Sequence, residues 1–276
     1  MAVLLSAVLP IALVALVGIA VGRWLTVDVQ TLARLSIYAF LPALVLRSLA
    51  ETTLALQNAI AITIVFLLNT TLLYLIAIGC SHLLQFSPDQ KKSLIATTIF
   101  ANVGNMGLPF VLFSLGNAGL ERAVVYLVAS SLMIASVFPV VLVGKGIASG
   151  IGFTLRLPVL WAALAGMGLQ WWGSLPVALE RGIVLLADGA IPLALLMLGI
   201  QLSRTPFIFG PYELFGTGLR LIVSPALAYG IATILGITGL DLQVVVLQSA
   251  MPVAVNSLIW VIELGGDRTR VARTIV

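Results

Sequence analysis

Long apolar runs alternate with short polar punctuation along the whole chain. They fall at about Val3 to Gly22, Ala33 to Leu49, Ala59 to Leu84, Ser93 to Leu115 and Ala123 to Val143. A second set follows at about Phe153 to Trp172, Val177 to Leu202, Phe215 to Leu235 and Leu242 to Leu264. A helix crosses the hydrocarbon core of a bilayer in about 20 residues, so the pattern predicts nine visible spans. A closed barrel, the other structure that satisfies every backbone group in lipid, uses strands of about ten alternating residues. These runs are too long for that, and the predicted fold class is an all-α polytopic membrane protein.

Composition adds limits to this picture. Apolar residues fill 61% of 276 positions, charged residues 9%, and the mean hydropathy is +1.18. Nine spans with short loops leave no room for an extramembrane domain. The 14 Lys and Arg are scattered rather than gathered into a stripe, so the net charge of +4 does not point to a nucleic-acid partner. The single Cys80 and single His82 exclude an internal disulfide and any Cys- or His-built metal cluster, and no cofactor motif is present. The first run starts at Val3 without a basic leader and reads as a span rather than a cleaved signal.

The basic residues instead report orientation. Arg23, Arg34, Lys91, Lys92, Lys145, Arg156, Arg204, Arg220, Arg268, Arg270 and Arg273 fall on one side of the alternating spans. Only Arg47, Arg122 and Arg181 fall on the other, a split of 11 to 3. The positive-inside rule then puts the loop after the first span in the cytoplasm and the N-terminus outside a plasma membrane.

The halves repeat. Pro10 and Gly18 are matched by Pro158 and Gly166 at a constant offset of 148 residues. Phe40-Leu41-Pro42-Ala43-Leu44 is answered by Ala190-Ile191-Pro192-Leu193-Ala194, and each half then carries a break marked by Asn and Pro, at Pro109 and at Pro252. Five spans separate the two starts, an odd number, so the second half runs through the membrane in the opposite sense. The expected organisation is an inverted repeat of five-span units, residues 1–143 and residues 144–276.

Each break carries candidate chemistry. Asn102, Gly104, Asn105, Gly107 and Pro109 lie midway along the fourth span, and Ser249, Met251, Pro252 and Asn256 midway along the ninth. Proline removes a backbone donor and glycine costs a helix about 1 kcal/mol relative to alanine, so both helices are expected to open there. Freed peptide groups at membrane depth must face protein or a wet cavity. Two interrupted helices at matching places in inverted halves mark a transporter site, and half-helix N-termini favour an anion. A simple proline kink with packing glycines is the alternative at either place.

These strings resemble the auxin efflux carrier family, whose plant members are the PIN-FORMED auxin exporters. The resemblance is carried by Tyr38-Ala39-Phe40-Leu41-Pro42-Ala43-Leu44, Asn102-Val103-Gly104-Asn105-Met106-Gly107-Leu108-Pro109, Ile191-Pro192-Leu193-Ala194 with Leu198-Gly199, and Ala250-Met251-Pro252-Val253-Ala254-Val255-Asn256. It implies a ten-span fold with two crossing broken helices, similar to sodium/proton antiporters and bile-acid symporters. It also implies a scaffold of spans one, two, six and seven, elevator movement of the other spans, a homodimer, and small organic anions such as auxin or dicarboxylates as substrates. Against that pattern the sequence stops at Val276, just after Arg268, Arg270 and Arg273, so the tenth span is expected from a longer chain or a partner.

The remaining charges have local readings. Asp188, four residues before Pro192, is a candidate proton carrier or a carboxylate snorkelling to the interface. Arg47 and Glu51 are spaced for an i, i+4 ion pair, Glu263 closes the ninth span, and Trp161, Trp171 and Trp172 suit an aromatic belt. No motif for an intramembrane hydrolase occurs, since no His-Glu-x-x-His is present and Asp188 has no aspartate partner within the spans. The predicted function is an efflux carrier of a small organic anion in the lipid bilayer. A sensor that binds such an anion without moving it, and a channel, are the alternatives.

Overall fold

The computed structural model describes residues 2–141, 147–173, 175–204, 210–254 and 267–275. Asn256 and Glu263 therefore lie outside the described residues. In chain order the helices are α1 (Ala2–Trp24), α2 (Val29–Ala50), α3 (Leu56–Leu83), α4 (Pro88–Ile99), α5 (Leu108–Val141) and α6 (Ile147–Leu155). They continue with α7 (Pro158–Trp172), α8 (Val177–Arg204), α9 (Pro211–Ile234), α10 (Gly239–Ser249) and α11 (Arg268–Thr274). Among the described residues five segments are long and apolar enough to cross a membrane: Val29–Ala50, Leu56–Leu83, Val103–Val137, Val177–Arg204 and Pro211–Ile234. A shorter apolar helix, Val8–Trp24, joins them. The protein is an all-helical integral membrane protein. α4, α7 and α10 are helical stretches of the expected fourth, sixth and ninth spans, each shorter than a crossing requires.

Local sequence chemistry sets the helix ends. Asp28 caps α2, accepting the Gln30 N–H at 3.1 Å and the Thr31 hydroxyl. The Thr31 hydroxyl first, and then the Gln30 N–H, hold the Asp28 carboxyl below the usual carboxylate range. Ser87 and Gln90 cap each other reciprocally at the start of α4, with Pro88 in its first turn.

Prolines also widen helices. Among the described residues three π turns occur, at Ser36–Phe40, Val103–Gly107 and Leu219–Val223, and each ends two residues before a proline: Pro42, Pro109 and Pro225. The missing N–H and the ring's clash with the preceding turn explain the coincidence. Gly116, at φ 70° and ψ −168°, interrupts α5 in a conformation open to glycine. It lies where the sequence separates its fourth and fifth runs.

The chain divides into two compact units. Neither coincides with residues 1–143 or 144–276, because each draws segments from both halves.

The first unit, Met1–Leu56 with Gly104–Arg204, contains α1, α2 and α5 to α8. Small residues let its helices approach closely, the packing device available where lipid removes the hydrophobic drive between helices. A Cβ on Gly18 would clash with the Leu196 carbonyl of α8, and one on Gly199 would lie 2.8 Å from Gly18 Cα. Likewise a Cβ on Gly166 of α7 would lie 2.7 Å from the Leu46 carbonyl oxygen of α2, and Gln170 donates to the Leu49 carbonyl beside it. Val45, Leu195, Met197 and Ile200 are buried here, while Trp171 and Trp172 are exposed.

The second unit, Gln57–Val103 with Thr205–Val276, contains α3, α4 and α9 to α11. Ile62, Val65 and Leu73 of α3 are buried, as are Leu94, Val244 and Val245. Polar bonds join its helices: Asn58 of α3 donates to the Asp241 carboxylate of α10 in a part-buried bond, and the buried Asn69 Nδ2 donates to Ser224 Oγ at 3.2 Å. α11 is held by the buried Val271, by Arg270 stacked 4.6 Å over the Tyr212 ring, and by the Asp267 N–H donating to Ser93 Oγ at 2.8 Å.

Candidate functional site

α4 ends at Phe100, whose φ of −86° and ψ of 89° leave the helical region, and α10 ends at Ala250. Beyond these points the two chains run antiparallel. The Asn102 N–H donates to the Pro252 carbonyl at 2.8 Å, and the Ala254 N–H donates to the Phe100 carbonyl at 2.8 Å. Ala101 and Val253 form the bridge between them. Each interruption thus supplies hydrogen-bond partners that the other lost when its helix stopped, which is how irregular backbone is tolerated inside a membrane protein.

Several carbonyls at the two helix ends are capped locally. Phe100 N–H caps Ala96, Ala101 N–H caps Ile99, and Met251 N–H caps Gln248. Three more carbonyls converge on one side chain. Arg220 of α9, only 2% exposed, donates Nη1 to Thr98 O at 2.8 Å, Nε to Met251 O at 2.9 Å and Nη2 to Ser249 O. Ser249 O accepts a further bond from Ser224 Oγ at 2.9 Å. A guanidinium at the C-terminal ends of two helices meets the negative ends of both dipoles. Around it Asn69 Oδ1, Thr98 Oγ1 and both amide atoms of Gln248 are buried with no partner among the described residues.

Among the residues expected from sequence, Asn102, Met251, Pro252 and Ser249 are brought together in the second unit. Asn102 and Pro252 meet through backbone, and Ser249 turns its hydroxyl onto the Val246 carbonyl at 2.8 Å within its own helix. Gly104, Asn105, Gly107 and Pro109 continue the same chain but are counted with the first unit. Pro109 does not break its helix; it sits in the opening turn of α5, and the non-helical stretch lies at residues 100–102. Asn105 is half-buried in the π turn.

Asp188 lies in the first unit and accepts Arg47 Nη1 at 2.7 Å, while Arg47 Nε reaches Glu51 at 3.3 Å, the expected i, i+4 pair. The same Arg47 borders a cavity of about 340 Å³ with Glu51, Gln170 and Glu180. His82 is exposed and faces Lys91 Nζ at 3.1 Å.

Arg220 is the residue whose place in this cluster the sequence did not foretell. It stands among the loop and helix-end cations in the charge count, whereas its helix buries it. The available signal was its position inside the apolar run from Phe215 to Leu235, five residues before Pro225.

The family model described as membrane transport protein matches residues 3–151 and 151–266. An uncharacterized transporter of Methanothermobacter thermautotrophicus is 30% identical over 247 residues, covering 86% of this chain and 80% of the relative. An uncharacterized transporter of Methanocaldococcus jannaschii is 26% identical over 186 residues, covering 64% of this chain and 60% of the relative. Auxin efflux carrier component 3a of Oryza sativa subsp. japonica is 24% identical over 106 residues, covering 36% of this chain and 17% of the relative.

Proposed function

The chain belongs to the membrane transport protein family, that of the auxin efflux carriers, and from that premise we propose that this transporter is a secondary carrier of a small organic anion. The observation that carries the proposal is the backbone pairing of residues 100–102 with residues 252–254. A helix interruption of purely local origin has no reason to meet its counterpart from the other half of the chain. Two that meet make a stable frame of unwound backbone inside the protein, which is the construction secondary carriers use for substrate.

Packing inside each unit supports the inverted repeat as part of this reading. The first span meets the seventh through Gly18, and the sixth meets the second through Gly166. These two contacts exchange when the halves are exchanged. In the second unit the third span meets the eighth through Asn69 and Ser224, and the paired interruptions exchange in the same way.

An anion is the substrate class because the N–H groups of the π turn Val103–Gly107, which starts the helix after the break, have no earlier turn to bond. Asn102, Asn105 and Asn256 are proposed to contact the substrate, together with backbone around Gly104, Gly107 and Pro252. Proton coupling is assigned to Asp188, whose ion pair with Arg47 would have to open with each proton. Elevator movement, a homodimer, a plasma-membrane location and an external N-terminus belong to the same proposal.

Flux into proteoliposomes tests it. Saturable uptake of at least one labelled carboxylate from a panel containing indole-3-acetate and small dicarboxylates is the expected result. Binding without uptake would instead make the protein a sensor, and non-saturating flux a channel. Asn105→Ala is expected to weaken binding of the transported carboxylate by at least about tenfold, the scale of one charge-assisted hydrogen bond, with an unchanged melting profile. Asp188→Asn is expected to keep binding but to flatten the pH dependence of uptake. Unchanged affinity in the first variant, or an unchanged pH profile in the second, removes that residue from its role.

A further inference from the structure

We propose that Arg220 is a resident cation occupying the carbonyl cage where a carrier of this design would hold a coupling ion, so that substrate movement needs no metal ion at those oxygens. The proposal rests on the carrier reading and adds to it how the broken helices are held. In carriers built from discontinuous helices, half-helix C-termini and unwound carbonyls carry partial negative charge and coordinate sodium or protons. Here three oxygens of that kind are Thr98 O at the end of α4, Ser249 O at the end of α10, and Met251 O in the unwound stretch. All three accept from the Arg220 guanidinium.

The chemistry of the side chain makes this occupancy permanent. A guanidinium keeps its proton at every accessible pH and presents five donors in a rigid fork, so one group can hold three carbonyls from two chain segments at once. An exchanging metal ion would release them when it left. Ser224 Oγ takes a further acceptor site on the Ser249 oxygen, leaving that oxygen fully bonded. Arg220 sits in the π turn Leu219–Val223 that precedes Pro225. The proline that widens this helix therefore belongs to the same device. On this reading the pairing of the two interruptions persists whether or not substrate is bound, and Arg220 is a positioning residue that touches no substrate atom.

The test uses the full chain in detergent, with amide hydrogen exchange followed over residues 96–103 and 248–254. Wild type, Arg220→Ala and Arg220→Lys are compared in guanidinium chloride, sodium chloride and choline chloride at equal, low-millimolar ionic strength. Wild type is expected to exchange equally in sodium and choline. Arg220→Ala is expected to exchange about tenfold faster across both segments, and guanidinium is expected to slow it back toward wild type where choline does not. Arg220→Lys, which keeps the charge but loses the fork, is expected to lie between them.

Sodium protection of wild type beyond that of choline overturns the proposal. So does an alanine variant that exchanges like wild type, or one that no small cation restores. If Arg220→Ala does not accumulate, wild type and Arg220→Lys carry the test, and a lysine variant as protected as wild type counts against the clamp. These readouts require no substrate. Anion transport can therefore fail in proteoliposomes while the clamp stands, and the clamp can fail while transport stands.

Discussion

Gly199→Ala is expected to destabilise the purified protein, whereas Gly182→Ala in the same helix is expected to leave it unchanged or stabilise it. Both substitutions add one methyl group to α8. At Gly182 that methyl meets nothing within 4 Å, and alanine is favoured over glycine in a helix by about 1 kcal/mol. At Gly199 the methyl would collide with the Ala15 carbonyl and lie 2.8 Å from Gly18 Cα, both of them backbone atoms of α1. Backbone cannot rotate away as a side chain can, so α1 and α8 must separate and lose packing along their length. Overpacking of this kind costs roughly 1–3 kcal/mol or more. Fluorescence-detected thermal melting of the two variants beside wild type reads the difference. Equal melting temperatures for both would show that the close approach of α1 and α8 does not support the first unit.

Ala254→Pro is expected to abolish uptake while preserving helical content. The preceding residue suits a proline, because residue 253 is already extended in its bridge with Ala101. Its main effect is to delete the Ala254 N–H and with it the 2.8 Å bond to the Phe100 carbonyl. Among the described residues only the Asn102 to Pro252 bond would then join the interruptions by backbone. Losing one partner of a buried bond costs about 1–3 kcal/mol, which loosens the pairing at its Ala254 end while Arg220 still holds Thr98, Ser249 and Met251. The circular-dichroism spectrum is expected to match wild type, and the initial rate of carboxylate uptake to fall at least about tenfold. Ala254→Ser keeps the N–H and is expected to transport normally. A proline variant as active as wild type would separate the pairing from function.

The positions of the breaks were legible in sequence because helix breakers act locally. Two Asn, two Gly and Pro109 gathered in the fourth run have few explanations other than an opened helix, and the structure opens it at residues 100–102 with a π turn over Val103–Gly107. The exact residue was less accessible. Proline was expected to mark the break, but a proline is comfortable in the first turn of a helix, and Pro109 takes that position. The Arg47 and Glu51 pair was also legible, being fixed by one helical turn. The bond from Arg47 to Asp188 was not, because 141 residues separate the two side chains.

Hydropathy, charge spacing and the recurrence of proline and glycine thus determined by themselves that this protein is a helical membrane protein with a broken helix in each half. Those signals are carried by residues a few positions apart, where the geometry of one helix is enough to interpret them. Only the tertiary structure decided that the two broken stretches bond to each other and that Arg220 is buried across both their ends. The same apolar helix could have left that arginine at the membrane surface. Its burial depends on three carbonyls that come from elsewhere in the chain and become acceptors only after their own helices have stopped.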